Sequence, residues 1–375
     1  MKKKSKNNGS VIIVLLCLSL FLYFFFPKPP CSIIDFDKRA VWISYQELSE
    51  LDYHSKQSFR KDFETILNEV IKYKTNTIIV HVRAFSDALY QSSLFPLSQI
   101  MTNQTQLSFD PLVEMVDLAH EKGLYFEAWV NPYRISLNER TYNQFMNSIH
   151  RSWLNNESLT IHYGTYQYIL NPASQKVRDY IVDGIKEIVS NYEVDGIHFD
   201  DYFYVSNTFG KTTQEERLKN VNLLIKDVYQ SIKAINNQVT FGISPQGNYE
   251  NCINQGADVD TWLKESGYID YLMPQIYWSN QYGKKGKTKL FTQRAKLFAS
   301  LKRCNDVQLY AGLALYHSGE ELSDDQGWFL SSSNISDQVQ ILSRYGYNGY
   351  SLFKYSSLKK ESAKKEMNEL LRVHS

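Results

Sequence analysis

The chain has 375 residues, 43% of them hydrophobic, and a formal net charge of +1 from 41 basic and 40 acidic side chains. That length accommodates about two to three domains of roughly 150 residues each, or one α/β barrel of roughly 250 residues with insertions. Seventeen glycines, nine prolines and a 14% aromatic content exclude disordered and collagen-like chains.

Residues 1–34 hold five lysines and no acid, leaving 36 basic against 40 acidic groups in the remainder. A slightly acidic remainder argues against a phosphate-tracking surface, so no nucleic-acid partner is expected. MKKKSKNNGS precedes an apolar run over 11–26, followed by PKPP. A basic stub before an apolar run suits a signal peptide or a signal anchor, and about 16 residues fall just below the roughly 17–25 that span a bilayer. No A-x-A-like site follows, so we read 11–26 as an uncleaved, single-pass membrane anchor that leaves residue 35 onward outside the cell. Cleavage before Asp35, giving a secreted protein, is the alternative.

From Arg39 the chain repeats one theme, a short β-rich run followed by a loop and an amphipathic stretch. The runs lie at 39–45, 75–83, 124–133, 194–204, 239–247, 269–278, 307–317 and 347–355. Helical patterns fall at 58–73, 111–122, 174–191, 213–236, 288–302 and 334–345, with a short one near 260–266. Eight strand–helix units with right-handed crossovers predict an α/β fold closed as a (β/α)8 TIM barrel over residues 35–375. A doubly wound sheet is the runner-up, but no G-x-G-x-x-G follows the first run and there is no P-loop. Longer loops at 84–110, 134–173 and 246–259 follow runs two, three and five, on the rim where barrel enzymes place their sites.

Alternate side chains of a barrel strand face the lumen, so parity and closeness to the carboxyl end select site residues. The fourth run places Asp200 inward at the rim above His198, with Asp201 and Tyr202 beginning the loop. Two adjacent acids at a strand end suit a paired-carboxylate mechanism with one ionised and one protonated member. Asp200 is the choice for the ionised one. The third run ends in Trp129, Asn131, Tyr133 and Arg134, groups able to stack on a sugar face or hydrogen-bond hydroxyls, with Glu127 about two layers below and near enough to tune His198 or Arg83. Arg83 and Asp87 close the second run and could fix the charge of the nucleophile. The sixth supplies Gln275, Tyr277 and Trp278. The histidines show no metal-ligand spacing, and neither H-E-x-x-H nor G-x-S-x-G occurs, so neither a metal nor any other cofactor is expected. The four cysteines lack C-x-x-C spacing, and a Cys252–Cys304 bridge is left open.

RAVWIS (39–44), SDALYQSSLFPLS (86–98), FDPLVEMVDLAHEKGL (109–124), AWVNPYR (128–134), VDGIHFDDYFY (194–204), FGISPQG (241–247), IDYLMPQIYW (269–278) and YAGLALY (310–316) together resemble the glycosyl hydrolase-like 10 family, in order, over about residues 38–355. The resemblance implies a (β/α)8 barrel, exported or envelope-anchored in bacteria, acting as a glycosidase on peptidoglycan glycan strands. Its DG-x-x-x-DDYFY motif falls on Asp195, Gly196 and Asp200 to Tyr204, its AW-x-NPYR on Ala128 to Arg134, and its PQIYW on Pro274 to Trp278. The family often has His where this chain has Glu127, and the loop after the fifth run is short.

The fourth run is also similar to that of the α-amylase-like clan, whose acid on strand five would fall near Gln246, an amide; a chitinase-type pattern would put its glutamic acid at Tyr202. By elimination the second carboxylate is Asp201 first, then Asp87, then Glu127. Two functions from different classes follow: a glycosidase cutting a cell-envelope polysaccharide, with Asp200 as nucleophile or base and Asp201 as acid, and a non-catalytic glycan-binding barrel.

Overall fold

The computed structural model describes residues 34–374. The anchor expected over 11–26 lies outside them, and among the described residues no helix is long and apolar enough to cross a membrane.

Eight parallel strands close a barrel: β1 (Lys38–Ile43), β2 (Thr77–Arg83), β3 (Tyr125–Val130), β4 (Gly196–Phe199), β5 (Thr240–Ile243), β6 (Tyr271–Leu272), β7 (Gln308–Leu313) and β8 (Gly349–Leu352). Each pairs with its neighbours in sequence, and β1 closes on β8 with Val41 beside Leu352. All eight expected runs carry a strand, and the outer helices follow them: α1 (Lys56–Ile71), α2 (Pro111–Glu121), α3 (Gln175–Asn191), α4 (Gln214–Ile235), α5 (Val259–Lys264), α6 (Leu290–Ser300), α7 (Asn334–Arg344) and α8 (Glu361–Val373). Their starts are chemically marked. Ser55 caps α1, Asp110 with Pro111 at the first position starts α2, and a Thr213–Glu216 capping box starts α4.

Two differences from the sequence reading stand out. Helix α8 is unmarked by the strand–helix rhythm because its stretch is lysine- and glutamate-rich, yet it closes the ring: buried Glu366 accepts from Asn334 Nδ2 (2.9 Å) and Ile335 N (2.9 Å) of α7. The loop over 134–173 is itself folded, as a three-stranded antiparallel sheet (Arg134–Ser136, Thr160–Gly164, Gln167–Leu170) with a helix at Glu139–Met146. The Cys252–Cys304 bridge is not formed. The Cys252 thiol turns to Gln246 O (2.9 Å) and Cys304 to Lys264 O (2.7 Å).

Strand pleating sorts the buried side chains into two clusters. Val41, Ile43, Ile78, Val80 and Val130 face the helices, whereas Ala40, Trp42, Ile79, Trp129, Tyr271, Met273 and Tyr310 fill the lumen. The large lumen groups need room beside them. A Cβ at Gly242 would lie 1.9 Å from the Tyr271 ring. Gly242→Ala is therefore expected to push Tyr271 off its partners and cost about 3 kcal/mol, the upper end for overpacking a close-packed core. Urea unfolding of the variant measures this, and an unchanged midpoint would show that Tyr271 has slack.

Candidate active site

A cavity of about 280 Å³ opens at the carboxyl ends of the strands. Its walls are Trp42, Ser44, Tyr45 and Gln46 from β1 and the turn after it, His81 from β2, Trp129 and Arg134, then Asp200, Asp201 and Tyr202 after β4, Ser244, Gln275, Tyr277, and Phe353 after β8.

Asp200 is 6% exposed. Burial, with the adjacent Asp201 charge adding to it, pushes its carboxyl up to about 7, against the opposing Arg134 guanidinium and the Tyr202 N–H donated at 3.1 Å. The Trp129 indole N–H, buried without a partner of good geometry, also faces this carboxyl and helps hold it down. Asp201 is raised too, by burial, but the Gln246 and Gln275 amides donate to it and oppose the rise. Gln275 Nε2 lies 3.4 Å from Asp201 Oδ1 and also donates to Ser244 O at 2.9 Å, while Asn251 Nδ2 holds Gln246 Oε1 at 3.0 Å. Both carboxyls are thus raised by burial; two amide donors favour the charged form of Asp201, and the Asp201 charge in turn opposes ionisation of Asp200.

The folded loop over 134–173 sets Arg134. Its Nε donates to Ala84 O (3.0 Å), its guanidinium lies 4.4 Å from the Tyr202 ring centroid, and Nη2 is 4.0 Å from Asp200 Oδ2.

Below the cavity runs a buried polar chain. Lys38 is ion-paired to Glu127, whose Oε2 lies 2.5 Å from Tyr271 OH; that hydroxyl lies 2.7 Å from His198 Nδ1. His198 Nε2 faces Trp42 Nε1 (3.3 Å) and Ser244 Oγ (3.0 Å). An indole N–H only donates, so Nε2 accepts and the His198 proton sits on Nδ1, leaving Tyr271 to donate to Glu127. Burial holds both His198 and His81 well below the ordinary histidine range, hence neutral. Glu127 thus reaches His198 through Tyr271 and does not reach Arg83.

Several expected contact residues stand elsewhere. Arg83 faces the helices: a β-bulge between His81 and Arg83 pairs Arg83 with outward-facing Val130 and reverses its parity. Its guanidinium lies 4.3 Å from the Phe95 ring centroid, packed against Gly184 of α3. Asp87 folds back to accept from Ala84 N (3.1 Å), Phe85 N (2.8 Å) and Gln144 Nε2 (2.9 Å), bracing the loop after β2. Tyr133 is buried against Phe203, and the Trp278 ring packs under Arg294 outside the cavity wall. Asn131 and His198 support the wall from behind, Asn131 through His81 Nε2 (2.8 Å). Trp129, Arg134, Tyr202, Gln275 and Tyr277 reach the cavity with the two aspartates. Trp42, Tyr45, His81 and Phe353 went unmarked, although the shared parity of Ala40 and Trp42 in the first run was a usable signal.

The sequence model of the glycosyl hydrolase-like 10 family matches residues 37–219 and 214–330. Among curated proteins, "Glycosyl hydrolase YngK" of Bacillus subtilis (strain 168) is 31% identical over 326 residues, covering 75% of this chain and 61% of that protein. "Glycosyl hydrolase DigH" of Escherichia coli (strain K12) is 29% identical over 309 residues, 71% of this chain and 68% of that one. The chain thus spans about two thirds or less of the relatives' lengths. Among solved structures, the glycoside hydrolase domain of PgaB (BpsB) from Bordetella bronchiseptica superposes with a TM-score of 0.56 at 8% identity, covering 87% of this chain and 97% of that one. The endo-1,4-beta-mannanase from Rhizomucor miehei does so at 0.56 and 12%, covering 92% and 98%. At those identities the likeness is one of barrel fold.

Proposed function

The chain belongs to the glycosyl hydrolase-like 10 family, and from that premise we propose that it is a glycoside hydrolase cutting a bacterial cell-envelope polysaccharide, peptidoglycan glycan strands first. The observation that carries this reading is the adjacent pair Asp200–Asp201 at the carboxyl end of β4, in a cavity walled by aromatic rings and Arg134. A carboxyl lifted to about 7 keeps a proton near neutral pH and can pass it to a leaving oxygen. The ionised partner beside it can then stabilise positive charge that develops in the transition state. Tyr202 and Tyr277, partly exposed on the cavity wall, offer faces for sugar rings. The apolar run over 11–26 supports the further proposal that the barrel faces the envelope from outside the membrane.

A basic hairpin on the same rim supports an anionic glycan. After Trp278 the chain turns through Lys284, Lys285, Lys287 and Lys289, all exposed and, among the described residues, without a side-chain partner. The Tyr282–Thr288 pair closes the hairpin with two 3.1 Å bonds. The lactyl carboxylates of peptide-free glycan strands are suitable counter-charges. Replacing all four lysines with serine is expected to weaken binding of such strands about tenfold at low ionic strength, with the difference vanishing in high salt. Equal affinity at low salt would remove this support.

The decisive experiment incubates the protein, and its Asp200→Asn variant, with glycan strands with and without stem peptides, and reads released fragments by mass spectrometry. Fragments from the unmutated protein alone establish a glycosidase and identify the bond. Retention on the strands with no release from either protein would instead point to a glycan-binding barrel.

A further inference from the structure

We propose that the reaction at this site runs through the substrate's own 2-acetamido group, so that the sugar on the non-reducing side of the cut is a 2-acetamido-2-deoxy sugar. The proposal rests on the glycosidase reading above and specifies its nucleophile.

Asp200 and Asp201 are consecutive, with Cα atoms about 3.8 Å apart, and both side chains enter the cavity from the carboxyl end of β4. The opposite side of the cavity, built from Trp42, Tyr45, Tyr277 and Phe353, holds no carboxyl. Two other buried acids are committed elsewhere. Glu47 stands behind Ser44, where, although burial raises it, contacts from Ser356, Ser44 and Lys354 hold it below its ordinary value. Glu127 is tied to Lys38 in the lumen. Direct displacement sets a nucleophile or base against the acid across the anomeric carbon, with carboxyls about 5–5.5 Å apart for retention and roughly 6.5–9.5 Å for inversion. Here the wall that should carry the opposing group carries aromatic rings.

Side-by-side carboxyls instead suit side-by-side substituents, the glycosidic oxygen on C1 and the amide nitrogen on C2. Asp200 gives its proton to the glycosidic oxygen as the C1–O bond breaks and its electron pair stays on the leaving oxygen. The acetamido carbonyl oxygen forms the new bond to C1, and Asp201 takes the amide proton, so the bicyclic intermediate is a neutral oxazoline. Water then attacks C1 and gives a proton to Asp200, Asp201 returns its proton to nitrogen, and the C1–O bond of the oxazoline breaks. The product is a hemiacetal of retained configuration. An intramolecular nucleophile brings an effective concentration of order 10⁵ M or more, which removes the need for one on the protein. The aromatic corner where Trp42 and Tyr277 each meet Phe353, with ring centroids 5.9 and 5.8 Å apart, suits the acyl methyl group.

The test offers the purified full chain peptide-free glycan strands with their N-acetyl groups intact or removed, and separately measures inhibition by the thiazoline of N-acetylglucosamine. Turnover is expected to fall at least about 10³-fold on de-N-acetylation, in line with a lost intramolecular nucleophile. The thiazoline should inhibit competitively and lose affinity in Asp201→Asn. Comparable cleavage of both strands, or a glycosyl–aspartate ester trapped on the protein, overturns this inference and leaves a glycosidase. Cleavage of the de-N-acetylated strand alone likewise overturns this inference and leaves a glycosidase; no cleavage of either strand removes the reading of a glycosidase on these strands, and this inference with it.

Discussion

Asp200→Asn lowers turnover about 10²–10⁴-fold while leaving glycan binding nearly unchanged, because an amide keeps the shape of the side chain but cannot release a proton. The sign of the pH dependence follows from the direction of the shift. Burial and the Asp201 charge raise Asp200 to about 7, so its protonated form is present below that value and is lost above it. On the unmutated protein kcat/KM should therefore fall as pH rises through about 7. Arg134 opposes the rise, so Arg134→Gln should move the falling limb to higher pH as well as lower the rate. Stability has a matching sign. A carboxyl whose pKa is higher folded than unfolded takes up a proton on folding; its contribution is present at low pH and is lost as pH rises through the folded value. Asp200→Asn, neutral throughout, should thus melt at a higher temperature than the unmutated protein at pH 8, a site that trades stability for chemistry. A pH–rate profile and melting curves at pH 5 and 8 check both. A profile flat through neutrality would remove Asp200 as the proton carrier.

Glu127→Gln costs about 3–5 kcal/mol of stability, the usual loss when one partner of a buried ion pair is removed and the other charge is left alone. Lys38 and Glu127 are 8% and 3% exposed, so water cannot replace the lost carboxylate. The Lys38 ammonium also lies over the Tyr271 ring, 3.9 Å from its centroid, and Tyr271 exchanges a charged acceptor for a weaker amide in the same change. The Trp42 indole still fixes the His198 proton on Nδ1, but Tyr271 holds that ring less firmly, and the Ser244 and Trp42 contacts that shape the cavity floor loosen. A Lys38→Met, Glu127→Gln double variant should recover much of the loss, because replacing a whole buried pair costs far less than breaking it. Urea unfolding of the single and double variants measures the coupling. A single-variant loss under about 1 kcal/mol would show that the pair is hydrated and holds little of the lumen together.

Much of this architecture was legible before the structure. The eight runs of alternating or continuous apolar residues became eight strands, because a side-chain period of two survives in any strand whose outer face is covered by helices. The sixth was overextended, with only Tyr271–Leu272 regular, since Pro274 lacks an N–H and the chain beyond it pairs through an isolated bridge at Gln275. Helix α8 escaped because its apolar stripe is sparse and its packing partner, α7, is close only once the ring has closed.

The sequence by itself determined the barrel, the strand-end position of Asp200 and Asp201, and the lumen-facing parity of Glu127, Trp129 and His198. Each follows from local periodicity and from order along the chain. Only the tertiary structure decided that Arg83 turns outward, that Asp87 braces a loop, that Glu127 answers Lys38, and that both aspartates are buried deeply enough to be raised. Those outcomes depend on a one-residue bulge, on groups 89 residues apart such as Lys38 and Glu127 meeting in the lumen, and on how deeply each carboxyl is buried among neighbours drawn from several strands. Burial and electrostatic coupling are properties of the closed barrel, and no stretch of sequence carries them.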